Sequence, residues 1–195
     1  MDKMKTRYDK LIDLISIYEP RSIVEIGTWN GGNAIRMLQA AKQFHESPQY
    51  VGYDLFEEAT AQTDAEEFNV KQHYFRDAVE AKIKKHCPWA EVNLIKGNTR
   101  DTLRSVTADF VFIDGGHSLE TIAHDYEAVK HSGVIVFDDY YSPLPSGSMP
   151  DINKIGCNLI VANLPHSVIV SQDAVREDAG GKQIGYNGLA VVHGS

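Results

Sequence analysis

A chain of 195 residues, 43% of them hydrophobic and 24% charged, is long enough to bury one core, and one domain is the expected count. Its formal net charge of -8 and pI near 5.4 supply no field that would gather phosphate backbones or anionic lipid, which argues against nucleic acid and membrane partners. The two cysteines, Cys87 and Cys157, lie far apart and form no CxxC pair, as expected of reduced thiols in a cytoplasmic protein.

The opening stretch MDKMKTRYDKLIDLISIYEP scatters its charges instead of placing a basic start before an apolar block, and no run reaches the length of a membrane span. Within it Tyr8, Leu11, Ile12, Ile15 and Tyr18 recur at helical spacing, and Pro20 closes the helix. SIVEIG then reads as a buried strand entering a glycine turn, after which Ala34, Ile35, Leu38 and Ala41 mark a second helical face. QYVGYD, EVNLIK, DFVFID and GVIVFDD follow as strands two to five, short apolar runs of the kind found in parallel strands covered on both faces. Between the fourth and fifth, Leu119, Ile122, Ala123, Tyr126 and Val129 trace one stripe, with Ser118 as N-cap and Gly133 as stop.

Two segments interrupt the alternation. Leu55 to Pro88 is too long for a simple crossover, and its Glu-rich and Lys-rich content predicts two surface helices, with Lys82, Lys84, Lys85 and His86 on a solvated face. YYSPLPSGSMP reads as an irregular loop after the fifth strand, and SVIVS and GLAVV as a long hairpin at the sheet edge. The expected architecture is α/β: a doubly wound, mostly parallel sheet of seven strands with a C-terminal antiparallel hairpin, one domain with a helical insertion at about 55–88.

The turn VEIGTWNGG carries the first chemical signal. A dinucleotide fingerprint wants a bare residue where Trp29 stands, so NAD and FAD are disfavoured, and Glu25 just before the turn suits a cationic ligand better than a phosphate. Asp54 at the end of the second strand can accept both hydroxyls of a ribose. A nucleoside without phosphates that carries a positive centre meets these conditions, and S-adenosylmethionine is one. Here the chain resembles the class I methyltransferases, whose first motif is matched by EIGTWNG and whose ribose position is matched by Asp54. The resemblance implies a Rossmann-like fold and a cofactor site at Glu25, Gly27, Thr28, Trp29, Gly31, Asp54, Leu55 and Asp114, with Asn98 and Thr99 of IKGNTRDTL on the adenine side. Trp29 reads as a pocket wall, not a reacting group.

The second signal is acidic. Asp114 ends the fourth strand, Asp138 and Asp139 end the fifth, and adjacent parallel strands would bring the three carboxylates together, to share protons or bind a cation. Oxygen donors favour magnesium or calcium over zinc. His117, after the Gly115-Gly116 pair, could take a proton from a hydroxyl near neutral pH. This constellation resembles the metal-dependent O-methyltransferases of the catechol and macrolide-sugar kinds. By that resemblance Asp114, Asp138 and Asp139 would be magnesium ligands and His117 would occupy the base position, where the catechol enzyme has Lys. The blander readings are that Asp138 and Asp139 cap a turn, that His117 anchors the next helix, and that His124 and His131 lie on a solvated face.

Together these features predict an S-adenosylmethionine-dependent methyltransferase that O-methylates a small-molecule or sugar hydroxyl with metal assistance. Two alternatives stay open: a non-catalytic cofactor-binding protein that meets a partner through Leu55 to Pro88, and a metal-dependent hydroxylase or hydrolase on the same scaffold. A homodimer is the commonest assembly and has no signature in the sequence.

Overall fold

The computed structural model describes residues 5–177 and 181–194. Helix α1 (Arg7–Tyr18) starts at a capping box in which the Thr6 hydroxyl accepts from the Asp9 amide and the Asp9 carboxylate accepts from the Thr6 amide. It buries Leu11, Leu14 and Ile15 and ends at Glu19, left-handed just before Pro20. There follow β1 (Ser22–Ile26), α2 (Gly32–Ala41), β2 (Gln49–Asp54), a single 3-10 turn at Phe56–Glu58, α3 (Ala61–Glu66), α4 (Arg76–His86) and β3 (Glu91–Lys96). The second half adds α5 (Thr99–Thr102), β4 (Phe110–Ile113), α6 (Leu119–Val129), β5 (Val134–Ser142), α7 (Asn158–Val161), β6 (His166–Glu177) and β7 (Gln183–His193).

The strands form one seven-stranded sheet in the order β3-β2-β1-β4-β5-β7-β6. The first five run parallel, and β7 lies antiparallel to both β5 and β6. The expected doubly wound sheet with a terminal hairpin is therefore present. The hairpin strands, 12 and 11 residues, outrun the two apolar runs that signalled them, and residues 178–180 of the Gly-rich stretch between those runs lie outside the described residues. Side chains of β4 alternate between two cores: Phe110 and Phe112 pack with α1 and α2, Val111 and Ile113 with α6 and α7. Burial on both faces is why the run has no polar alternation.

Three local expectations are corrected. Gly133 does not stop α6, which ends at Val129 with Lys130 right-handed; Gly133 instead passes the Asp109 carbonyl oxygen so closely that a Cβ would lie 2.7 Å from it. Helix α4 exposes Lys82, Lys84, Lys85 and His86 as expected of a surface helix, but it does not stand apart from the crossover: it is the crossover from β2 to β3, held by buried Val79 and Ile83. The fifth strand does not end at Asp139 but continues to Ser142, so Tyr140 and Tyr141 of the expected loop are strand residues.

Candidate active site

Strand order reverses between β1 and β4, and in open α/β sheets the crevice beyond the carboxyl ends at that point is where ligands bind. The two strand ends nearly touch there. The Gly27 amide donates to Tyr53 O at 2.8 Å, the Asp114 amide donates to Ile26 O at 2.8 Å, and a Cβ on Gly27 would fall 2.1 Å from Asp114 O. Only a bare residue, here with φ of 92°, passes. A solvent-open cleft of about 970 Å³ lies over this crossing.

Seven of the expected cofactor residues line the cleft: Gly27, Trp29, Asp54, Leu55, Asn98, Thr99 and Asp114. Asp54 is fixed by two amides, Oδ2 accepting from Trp29 N and Oδ1 from Phe56 N, both at 2.7 Å. Each oxygen keeps a second lone pair. Trp29 is held left-handed, φ 48°, a conformation that costs a bulky residue about 1–3 kcal/mol. Its amide bond to Asp54 and its indole bond to Gln72 O, 2.8 Å, offset that strain. Asn98 caps α5, accepting from Arg100 N at 3.0 Å.

Glu25, Thr28 and Gly31 lie elsewhere. The Glu25 carboxylate is buried, accepts from the Tyr50 hydroxyl within the sheet, and is pushed up to about 8 by burial, against the effect of that bond and with Asp54 adding to the rise. Thr28 is buried against Tyr50, and Gly31, φ 73°, lies against Val79 and Ile83 of α4. The ammonium-binding role expected of Glu25 therefore meets a carboxylate turned into the core.

The segment between Leu55 and Phe75 forms the outer wall. Glu67 reaches the start of α6, accepting from Ser118 N at 3.0 Å, Ser118 Oγ at 3.2 Å and Thr121 Oγ1 at 2.5 Å. Its carbonyl accepts from His117 Nδ1 at 2.8 Å. Lys71 lies over the Trp29 ring, 5.6 Å from its centroid. Glu67 and Lys71 both line the cleft and carried no individual signal in the sequence.

A smaller recess of about 210 Å³ shares Asp114, Gly116 and His117 with the cleft and reaches Asp138 and Asp139. Strands β4 and β5 are paired, Ile113 opposite Phe137, and the register of β5 against β7 then slips by one residue. This bulge carries Asp138 and Asp139, the latter left-handed at φ 57°. Asp114 and Asp138 converge as expected, both 3.2 Å from the hydroxyl of Tyr8 on α1. Burial, then Asp138, pushes Asp114 well above the usual carboxylate range. Asp138, however, is taken by Arg7, whose Nε donates to both carboxylate oxygens at 2.8 and 3.1 Å. Asp139 turns the other way, accepting from Asn187 Nδ2 at 2.6 Å and lying 3.3 Å from His117 Nε2. Among the described residues no group of three or more His, Cys, Asp or Glu side chains is arranged to hold a metal ion. The donors present do not fit the magnesium that the resemblance implied, because the Arg7 cation already sits against Asp138 and Asp139 turns away from the other two carboxylates to Asn187.

A model of a methyltransferase-domain family matches residues 24–140, from β1 through the β5 bulge. No curated protein matches. Among solved structures, the O-methyltransferase TomG of Streptomyces achromogenes, in complex with SAM, is 13% identical with a TM-score of 0.57, covering 100% of this chain and 84% of that one. An O-methyltransferase from Bacillus cereus, in complex with SAH, is 18% identical with a TM-score of 0.57, covering 98% and 82%. The spermidine synthase of Thermotoga maritima, 15% identical with a TM-score of 0.53, covers 100% and 61%, so likeness of this degree speaks for the fold alone. The matched residues span the glycine crossing, the Asp54 carboxylate and both acidic strand ends, and the chain belongs to the methyltransferase-domain family.

Proposed function

We propose that the chain transfers a methyl group from S-adenosylmethionine to a hydroxyl oxygen of a small molecule, a sugar or natural product being the class in view. The observation that carries this reading is the open cleft at the β1/β4 switch point, with Gly27 bare at the crossing and the Asp54 carboxylate on its wall. The cofactor fits these residues: Asp54 has lone pairs for a ribose diol, Asn98 and Thr99 are taken as the adenine side, and Asp114 and Glu67 line the same cleft. When bound, it supplies an electrophilic methyl on a sulfonium centre.

The rest falls to the chain. Because a carbonyl can only accept, His117 Nδ1 donates to Glu67 O, which leaves Nε2 as the atom free to take the hydroxyl proton. Asp139, 3.3 Å away, would stabilise the imidazolium that results. Positioning of the oxygen supplies the remainder, with well-oriented pairs worth about 7–11 kcal/mol. No step runs through a divalent ion, since Asp138 and Asp139 are turned to Arg7 and Asn187.

Calorimetry with S-adenosylhomocysteine tests the cofactor half: one site per chain is expected. Asp54→Ala, its fold checked by circular dichroism, should bind about a hundredfold more weakly for loss of bonds to a charged group. Mass spectrometry of a hydroxyl-bearing compound set incubated with S-adenosylmethionine tests the transfer. A folded wild-type chain that binds no S-adenosylhomocysteine would refute the reading.

A further inference from the structure

The acidic ends of β4 and β5 meet the N-terminal helix, and the fit is specific. Arg7 Nε donates to both oxygens of Asp138, while Arg7 Nη2 donates to the Tyr8 hydroxyl at 2.9 Å, the same hydroxyl that lies 3.2 Å from Asp114 and Asp138. The Asp138 side chain is 1% exposed and that of Arg7 20%, so water screens this pair weakly. The guanidinium also lies over the Tyr8 ring, 4.3 Å from its centroid. Helix α1 is anchored independently of Asp138. The Thr6–Asp9 capping box sets its first turn, Arg36 of α2 bonds Asp9 at 2.5 Å, and Leu11 and Ile15 are buried. The chain therefore delivers Arg7 to Asp138 through a helix held by other contacts.

We infer that Arg7 is the resident cation of the Asp114–Asp138 pair, occupying at Asp138 the place a divalent ion would need, so that this methyltransferase site is built without one. Two carboxylates sharing one hydroxyl repel each other, and a proton kept on one of them or a neighbouring positive charge answers that repulsion; here the guanidinium stands beside Asp138. Magnesium would require oxygen donors at about 2.0–2.1 Å in near-octahedral array. A guanidinium seated against both oxygens of one carboxylate puts a fixed positive charge where such an ion would sit, and like charges repel. Ion and arginine are mutually exclusive at Asp138. The two remaining contacts of the cluster are also supplied by the chain, Asn187 and His117 at Asp139. The inference extends the proposed reading to the hydroxyl side of the site, and rests on it only for the reaction served there.

Manganese is the probe, read as loss of the free-ion electron paramagnetic resonance signal, with thermal unfolding alongside. Wild-type protein should leave millimolar Mn²⁺ free and melt at the same temperature in chelator and in Mn²⁺. Arg7→Ala should lower Tm by about 10 °C in chelator, the cost of stripping one partner from a buried pair, and should take up one Mn²⁺ with recovery of much of that loss. Arg7→Lys, which keeps the charge, should stay indifferent to Mn²⁺. Stoichiometric Mn²⁺ uptake by the wild type overturns the inference whether or not Arg7→Ala folds. So does an Arg7→Ala chain as stable as wild type, or a folded one that takes up no Mn²⁺. Binding of S-adenosylhomocysteine by the same wild-type preparation separates failure here from failure of the proposed function.

Discussion

Burial sets the charge of two carboxyls that never reach the cleft. Glu25 is pushed up to about 8 and Asp125 of α6 up to about 7, from ordinary values of 4.5 and 3.8. Between the ordinary and the raised values the folded chain holds protons that the unfolded chain has released, so folding stability falls as pH rises through that interval. Asp9 has the opposite sign: bonds from the Thr6 amide and hydroxyl lower it to about 2, and its contribution is lost only in strong acid. Wild-type Tm should therefore rise as the buffer is taken from about pH 8 to pH 6, and Glu25→Gln combined with Asp125→Asn should reduce that slope, Asp114 supplying the remainder. A wild-type Tm that climbs toward pH 8 would contradict the assignment. At this scale the sequence reveals what local geometry dictates. Gly27, Asp54 and Asn98 stand where a strand meets a turn, and each announces itself there. Arg7 and Tyr8 do not, because their partners lie 131 and 106 residues away, and Tyr8 also falls on an apolar helical stripe that reads as core. Glu25 was misleading for a related reason: its place before the glycine turn fits a ligand, but its side chain faces Tyr50.

Among the elements, the stretch from Leu55 to Phe75 is pinned at its ends and at Gln72, and between them the Glu67 carboxylate is its most heavily bonded tie. Helix α3 buries none of its residues, so little apolar contact holds it down. What does is Glu67 at the first turn of α6, where three donors and the helix dipole favour a carboxylate. Glu67→Ala should leave the sheet intact but raise amide hydrogen exchange across residues 61–72 by about tenfold or more, as local opening becomes easier. Mass spectrometry of deuterium uptake would read it, and unchanged uptake there would show that the wall is held by something else. Composition marked Leu55 to Pro88 as one segment, too long for a simple crossover. It could not separate the wall from α4, because the Lys-rich outer face of α4 conceals the two residues, Val79 and Ile83, that tie it to the core.

For the whole molecule, alternation of apolar runs with helical stripes was enough to give a doubly wound sheet, since parallel strands buried on both faces leave a strong pattern. It could not give the order in which strands pair, nor the length of the hairpin that closes the sheet, because those depend on contacts remote in sequence. The order matters most at the center, where β1 and β4 part and Gly27 passes Asp114. Gly27→Ala would press a methyl against backbone on both sides of that seam and should cost about 3 kcal/mol or more, a drop of about 10 °C in Tm by calorimetry. A variant melting with the wild type would mean that the crossing is looser than described. One consequence belongs to the β5 bulge. The strand carries a single surplus residue there, and a chain trimmed by one would regain a seamless ladder with β7, Tyr140, Tyr141 and Ser142 keeping their partners, with room for only one of the two carboxylates. Regularity and an acidic rim are thus competing states of one short segment, and this protein keeps the irregular one.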